Sequence, residues 1–295
     1  MTARDYRPHL LYVAWGFPPN RGGGVYRALA TANTFAEQGW KVTVLTVKPE
    51  AFEVTAGVDE SLLEHIRPDV NVVRVKYDVA ATQTDLSQWS WVRARFTELW
   101  MAQRVARNML LFPEPGSGSW RRAIEQAALN IHERSKVDLT IGTANPYIDF
   151  APGYALLKAH GVPYILDYRD AWQLNILGGN RVTGPRSLVA RMERKLMQRA
   201  HQVWFVNQPI LDWHAELYPS IASRMRVVMN GFDAELAAYP TEIRKGRDDH
   251  LVFGYIGTLY AEVPFRRILE GWALAKREAP ELERAEFRVH GYLGH

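Results

Sequence analysis

Two short stretches of this 295-residue chain carry residue types that could do chemistry at close quarters. In "NRGGGVYRA" three consecutive glycines, Gly22, Gly23 and Gly24, stand between an apolar run and a helical pattern. Bare backbone and free helix-end N–H groups at such a place can approach an anion or a sugar. In "LDYRDAW" Asp167, Arg169 and Asp170 close an apolar run, and in open α/β sheets ligands bind beyond such strand ends. Each stretch has a plainer reading: the glycines as a flexible strand-to-helix turn, the charges as a structural salt bridge. The glycines alone do not decide between the two. Charges at the end of an apolar run are costly unless paired or solvated, and their clustering at the expected crevice favours a site role. "VNQP" and "MNGFD" also end apolar runs and add Asn207, Asn230 and Gly231, although Asn-Gly is first of all a turn signal.

Other chemistries fit less well. Gly22 and Gly24 are followed by Arg27 where the dinucleotide fingerprint needs its third glycine, and no Walker lysine follows. That disfavours a nicotinamide oxidoreductase. The chain has no cysteine, which rules out disulfides, thiolate zinc sites and cysteine nucleophiles and fits a cytosolic protein. None of the nine histidines has a second ligand at metal-binding spacing, so no metal is expected; His132, His160 and His214 read as ordinary helix or core residues, as does Glu98. "GSGSW" lacks the frame of a nucleophile elbow. Lysine and arginine exceed aspartate and glutamate by only 36 to 32, so nucleic acid is not an expected partner. The apolar run after "MTARDYRP" is too short for a signal sequence or a membrane span, and a cytoplasmic location is expected.

The elements that must position these residues alternate along the chain. Apolar runs at His9 to Trp15, Lys41 to Val47, Val70 to Tyr77, Val137 to Thr143, Pro163 to Arg169, Gln202 to Asn207 and Met225 to Asn230 read as buried strands. Helical patterns lie between them at Val25 to Gln38, Trp91 to Leu110, Ser119 to Arg134, Pro146 to His160, Pro185 to Ala200 and Pro209 to Leu217. Such alternation predicts an α/β fold with a parallel, doubly wound sheet, and Gly39 predicts a glycine cap between the first helix and its return strand. Residues 1–240 read as one Rossmann-like domain, the polar run Thr241 to Asp249 as a linker, and 250–295 as the start of a second domain, too short for a core of its own.

Residues 86–112, rich in tryptophan and arginine, allow two readings. With Trp89, Phe96, Trp100, Val105 and Leu110 beside Arg93, Arg95, Arg104 and Arg107, the segment could lie on an anionic membrane surface. The reading favoured by the sequence is an amphipathic helix packed on its own sheet.

Taken in order, these pieces resemble the retaining, nucleotide-sugar-dependent glycosyltransferases of family 4, which have the GT-B fold. The matching residues are "LLYVAWGFPPNRGGGVYRALATANTFAEQGWKVTVLTV", "FPEPGSGSW", "TANPYIDFAPGYALLKAHGVPYILDYRDAW", "VWFVNQP", "RMRVVMNGFD" and "LVFGYIGTLY", through nearly the whole chain. The chain looks most like bacterial members of cell-surface polysaccharide assembly whose fifth strand ends in Arg-Asp-x-Trp. The resemblance implies two Rossmann-like domains facing a cleft, the first for the acceptor and the second for most of the nucleoside diphosphate sugar. It puts Gly22, Gly23 and Gly24 at the cleft floor and Asn207, Asn230 and Gly231 beside it. Arg169 and Asp170 match a His-Asp pair of many relatives. Arginine is no base, so the implied role is electrostatic stabilisation of a departing diphosphate, with Asp170 orienting an acceptor hydroxyl or a donor sugar. Thr258 follows "YIG" where many members have a diphosphate-binding arginine, a role that passes to Arg266. The chain stops before the family's Glu-x7-Glu region, so a truncated donor domain is expected. The implied activity is transfer from a nucleotide sugar to a glycan or lipid-linked acceptor without cofactor or metal; the alternative is a non-catalytic glycan- or partner-binding remnant of such an enzyme.

Overall fold

A computed structural model describes residues 6–176, 178–231, 250–257, 259 and 265–291. Contacts divide the chain into two compact units, Met1–Leu236 and Ala237–His295. In the first, seven strands form one sheet: β1 (His9–Val13), β2 (Lys41–Val47), β3 (Val70–Val75), β4 (Leu139–Ala144), β5 (Tyr164–Tyr168), β6 (Gln202–Phe205) and β7 (Met225–Val227). All pair in parallel, in the order β3-β2-β1-β4-β5-β6-β7. The fold is α/β, with the parallel sheet that the alternation predicts. The chain runs outward from β1 to β3, then returns to β4 on the other side of β1, so the carboxyl ends of β1 and β4 flank the topological switch point.

The helices are α1 (Gly24–Glu37), α2 (Glu50–Glu53), α3 (Trp91–Arg95), α4 (Thr97–Leu111), α5 (Arg121–Arg134), α6 (Ala151–His160), α7 (Leu188–Arg199) and α8 (Gln208–Leu217). Buried residues of α1 recur at Val25, Ala28, Leu29, Ala32 and Ala36, a helical period with small side chains that brings the helix close to Leu10, Tyr12, Val44, Ile141 and Ile165 on one sheet face. Gly39 has φ of 86°, where only glycine sits without strain, and lets Trp40 N–H reach the Phe35 carbonyl at 3.0 Å, closing α1 as the sequence predicts. The opposite face carries Leu11, Val13, Leu166, Tyr168 and Phe205 and is covered by α5 to α8.

One expected element is split. The helix over Trp91 to Leu110 breaks at Phe96, whose φ and ψ of −132° and 53° are not helical. Ser90 caps α3 through a 3.2 Å bond from Arg93 N–H, and the Thr97 hydroxyl donates to the Arg93 carbonyl at 2.7 Å. Arg93 itself is buried.

The second unit holds β8 (Val252–Ile256), α9 (Phe265–Glu278) and β9 (Glu286–His290), with β8 and β9 parallel. Trp272 packs between Phe253 and Phe287 at 5.0 and 5.7 Å. Ala285 is the one buried residue among those described there. The linker expected at Thr241 to Asp249 lies outside the described residues.

Candidate functional site

Strand alternation sends Asp167 and Tyr168 to opposite faces of β5. On the α1 face Asp167 is buried and meets Arg27, whose Nη2 and Nε donate to its two carboxylate oxygens at 2.6 and 3.0 Å. The Thr143 hydroxyl donates to the same carboxylate at 2.9 Å. Arg27 Nη1 reaches the Met229 carbonyl at 3.1 Å and Asn230 Oδ1 at 3.2 Å. Arg27 stands where a dinucleotide fingerprint would have glycine, and its work is to join α1, β5 and the end of β7. For Asp167 the salt-bridge reading therefore holds, and Asn230 is tied into the same cluster.

Arg169, two residues on, is held differently. Its Nε donates to the Ala144 carbonyl at 2.9 Å and its Nη2 to the Asn145 carbonyl at 2.6 Å, at the end of β4. Nη1 has no hydrogen bond and no carboxylate pairs with the guanidinium among the described residues. That group lies directly over Gly24: a Cβ built there would fall 1.4 Å from Nη1. Gly24 is bare because an arginine occupies its side-chain space.

The loop around it is electropositive. Gly23 is the N-cap of α1, without a side-chain cap and without an acid in the first turn, and nothing lies within 4 Å of its missing Cβ. Gly22 N–H is turned to Asn20 Oδ1 at 2.6 Å. An uncapped helix N-terminus and an uncompensated guanidinium thus share the switch point, an arrangement that attracts anions. Asp170 is exposed at the same edge.

Buried groups missed by sequence reasoning fix this edge from below. Glu114 accepts from the N–H groups of Tyr147 and Ile148, both at 2.9 Å, and from the Ser117 hydroxyl at 2.6 Å. Burial pushes its carboxyl pKa up against those bonds. Asp149, fully buried, accepts from Trp15 N–H at 2.6 Å, while its other oxygen has no partner; burial raises its pKa well above the ordinary value. These two acids pin the β4 loop to the β1 loop and the 114–117 turn. Trp172, the last residue of the Arg-Asp-x-Trp run, stacks between Phe112 at 5.3 Å and Tyr147 at 4.6 Å, which fixes the loop after Asp170. On the far face of β5 Glu193 is buried among Tyr168, Tyr218, Gln173 and His214, so His214 is the core residue that the sequence suggests.

The other candidates lie apart or are differently used. Asn207 caps α8, accepting from Ile210 N–H at 3.0 Å. Gly231 is exposed with open space around it. Arg266 is exposed on α9 in the second unit, and Thr258 lies outside the described residues. At the β3 end of the sheet a cavity of about 700 Å³ is lined by Tyr77, Asp78, Gln83, Gln88, Ser90 and Trp100 among others.

Residues 22–231 match the Glycosyl transferase 4-like domain family. The chain belongs to this family. No curated protein matches it. Among solved structures it is similar to MurG of Acinetobacter baumannii, at 16% identity and TM-score 0.42, over 96% of this chain and 58% of that one. It is similar to sucrose-phosphate synthase of Thermosynechococcus elongatus at 15% identity and TM-score 0.48, covering 96% and 71%. It is also similar to a UDP-N-acetylglucosamine 2-epimerase of Rickettsia bellii at 11% and 0.42, covering 97% and 62%. This glycosyltransferase-like chain thus spans 58% of the length of that MurG.

Proposed function

We propose that the protein transfers a glycosyl group from a nucleoside diphosphate sugar to a hydroxyl of a glycan or lipid-linked acceptor, with retention at the anomeric carbon, on the cytoplasmic side. Family membership supports the reaction class, and one observation supports the site: the Arg169 guanidinium, without a carboxylate partner among the described residues, over the uncapped start of α1. When the anomeric C–O bond to the diphosphate breaks, negative charge grows on the departing oxygen. Preorganised donors aimed at that charge lower the barrier. In front-face transfer the acceptor oxygen bonds the anomeric carbon on the side the diphosphate leaves, and the acceptor proton passes to the departing phosphate oxygen. No side-chain base is needed, which suits an arginine where relatives have histidine. Asp170 would orient an acceptor or donor hydroxyl. Gly22, Gly23 and Gly24 would carry the donor phosphates, with Asn207, Asn230, Gly231, Thr258 and Arg266 as further contacts to substrate. The Arg169 guanidinium and the N–H groups at the start of α1 would neutralise the diphosphate without a cofactor or metal. The rings and amides lining the 700 Å³ cavity would suit an acceptor sugar.

The test is a donor panel assayed with the full-length natural protein, following nucleoside diphosphate release with glycan and lipid-linked acceptors. Acceptor-dependent release with retained configuration supports the reading, and tight NAD binding without release defeats it. The alternative is a non-catalytic glycan- or partner-binding remnant of such an enzyme, for which the absence of a side-chain base at Arg169 speaks. Glycan binding with no release from any donor would favour it.

A further inference from the structure

Arginine and apolar side chains between Leu86 and Leu110 are arranged inside out. Arg93 is buried, its guanidinium 3.7 Å over the Trp89 ring and 4.9 Å from that of Trp100, donating to the carbonyls of Ala80 at 2.5 Å and Gln83 at 2.9 Å. Arg104 lies 4.8 Å over Trp100 and pairs with Asp78 at 2.6 Å. Asn108 holds the end of α4 to the following turn, donating to the Pro115 carbonyl and accepting from Ser119 N–H. Having used cations, aromatic rings and an amide inside, α3 and α4 leave large apolar side chains outside: Trp91 is 72% exposed, Leu99 70% and Leu110 82%, with Val92 and Phe96 between them. Leu99, Ala106 and Leu110 fall on one side of α4 at helical spacing. Among the described residues the rings of Trp91 and Phe96 meet edge to face at 6.1 Å, and neither Leu99 nor Leu110 joins the buried core.

We infer that this outer face of α3 and α4 docks on an anionic phospholipid surface. Charge selects the occupant. With Arg93 and Arg104 engaged inside, the surface of this segment carries two exposed arginines, Arg95 and Arg107, beside the apolar face against one exposed acid, Glu98. An apolar stripe with a tryptophan and flanking arginines suits the boundary between headgroups and acyl chains, where each cation near an anionic surface adds about 1 kcal/mol. The contact would be superficial, since no helix among the described residues is long and apolar enough to cross a membrane. The sequence reading that favoured internal packing holds for Trp89 and Trp100, while Phe96, Val105 and Leu110 are the residues left outside. Lipid binding here neither requires nor implies sugar transfer.

The experiment is flotation of the full chain with vesicles of phosphatidylcholine alone and of phosphatidylcholine with phosphatidylglycerol. Binding to the anionic vesicles that weakens with added salt is expected. The double variant Leu99→Glu/Leu110→Glu should lose binding with an unchanged melting temperature. Arg95→Gln/Arg107→Gln keeps the apolar face and should weaken anionic binding by about fivefold per arginine. Absence of binding to anionic vesicles overturns the inference, as does binding that neither variant alters. A dimer in sedimentation that Leu99→Glu/Leu110→Glu dissociates would assign the face to a second copy and overturn it equally.

Discussion

Where α1 meets β5, Arg27 gives two hydrogen bonds to Asp167 and two more to the end of β7; where α1 begins, Arg169 bonds backbone carbonyls and forms no ion pair among the described residues. Both arginines project from elements bordering the same sheet edge. The Arg27 region is closed, with side-chain exposures of 8% and 1% for the pair, and its charges cancel. The Arg169 region keeps its charge and adds a helix start without a side-chain cap or an acid in its first turn. A buried cation matched by a carboxylate is explained by the fold it holds together. One held in place by carbonyls, with its charge uncompensated and half-buried at a switch point, is explained by what it would meet.

Breaking the closed region should show the largest effect on stability. Arg27→Met leaves Asp167 buried without its cation, and removal of one partner of a buried pair costs about 3–5 kcal/mol. Urea denaturation should show that loss, and Arg27→Met/Asp167→Asn should recover a good part of it because no unpaired charge remains. An equal loss in the single and double variants would mean that the pair is not what joins these elements. The open region should behave in the reverse sense. Arg169→Ala should leave the urea midpoint close to wild type while lowering kcat about 10²–10³-fold, the scale of losing one preorganised donor to a developing anion. Arg169→Lys should recover only part, since an ammonium cannot bond both carbonyls and a diphosphate in one plane. A large stability loss with unchanged kcat would make Arg169 a second Arg27.

Periodicity made the sheet legible, because strands buried on both faces read as continuous apolar runs and α1 repeats its small buried residues at helical spacing. Strand ends were shorter than the runs: β1 stops at Val13 although Ala14 and Trp15 continue the apolar pattern, since the chain there turns toward the 17–20 loop. The broken helix at Phe96 was hidden, because the contacts of Arg93 with Trp89 and Trp100 that accompany it are side-chain pairings that no apolar period encodes. At the site the glycines and the Arg169-Asp170 pair could be found by position. Their relation could not, because Gly24 and Arg169 lie 145 positions apart and meet only through the β1, β4, β5 crossover. Glu114 and Asp149 carried no signal beyond an acid in an apolar setting, as expected of groups whose partners are backbone N–H.

The contact between the two regions can be tested at Gly24. Gly24→Ala places a methyl where Arg169 Nη1 lies, so the guanidinium must swing away and give up its bonds to the Ala144 and Asn145 carbonyls. Alanine is the better residue in a helix, which offsets that loss, so stability should stay within about 1 kcal/mol of wild type. Activity should fall by about tenfold, less than on removing the arginine, because a displaced charge still acts at longer range. In an Arg169→Ala background the same substitution should do almost nothing to kcat, which is the non-additivity of two changes acting through one group. Additive losses would place the role of Gly24 in its own backbone and separate the glycine loop from the arginine.

The smallest effect expected is on pH dependence, at the acid that supports the open region. Asp149 has a folded pKa raised above its unfolded value of 3.8 by burial, with the Trp15 N–H bond and Arg169 opposing and Glu114 adding to the rise. The folded state therefore retains a proton that the unfolded state releases. Stability is highest below the unfolded pKa and falls as pH rises through the window up to the folded value, then levels off. Asp149→Asn keeps an oxygen for Trp15 N–H and cannot ionise. Its urea midpoint, compared with wild type between about pH 4 and 8, should gain steadily with pH and flatten part of the slope, leaving the part due to Glu114, whose pKa is raised in the same direction. A variant that loses stability equally at every pH would show that the carboxyl is ionised in the fold and paired through space with Arg169. The open region would then be compensated after all, and its contrast with the Arg27 cluster would shrink to a difference in distance.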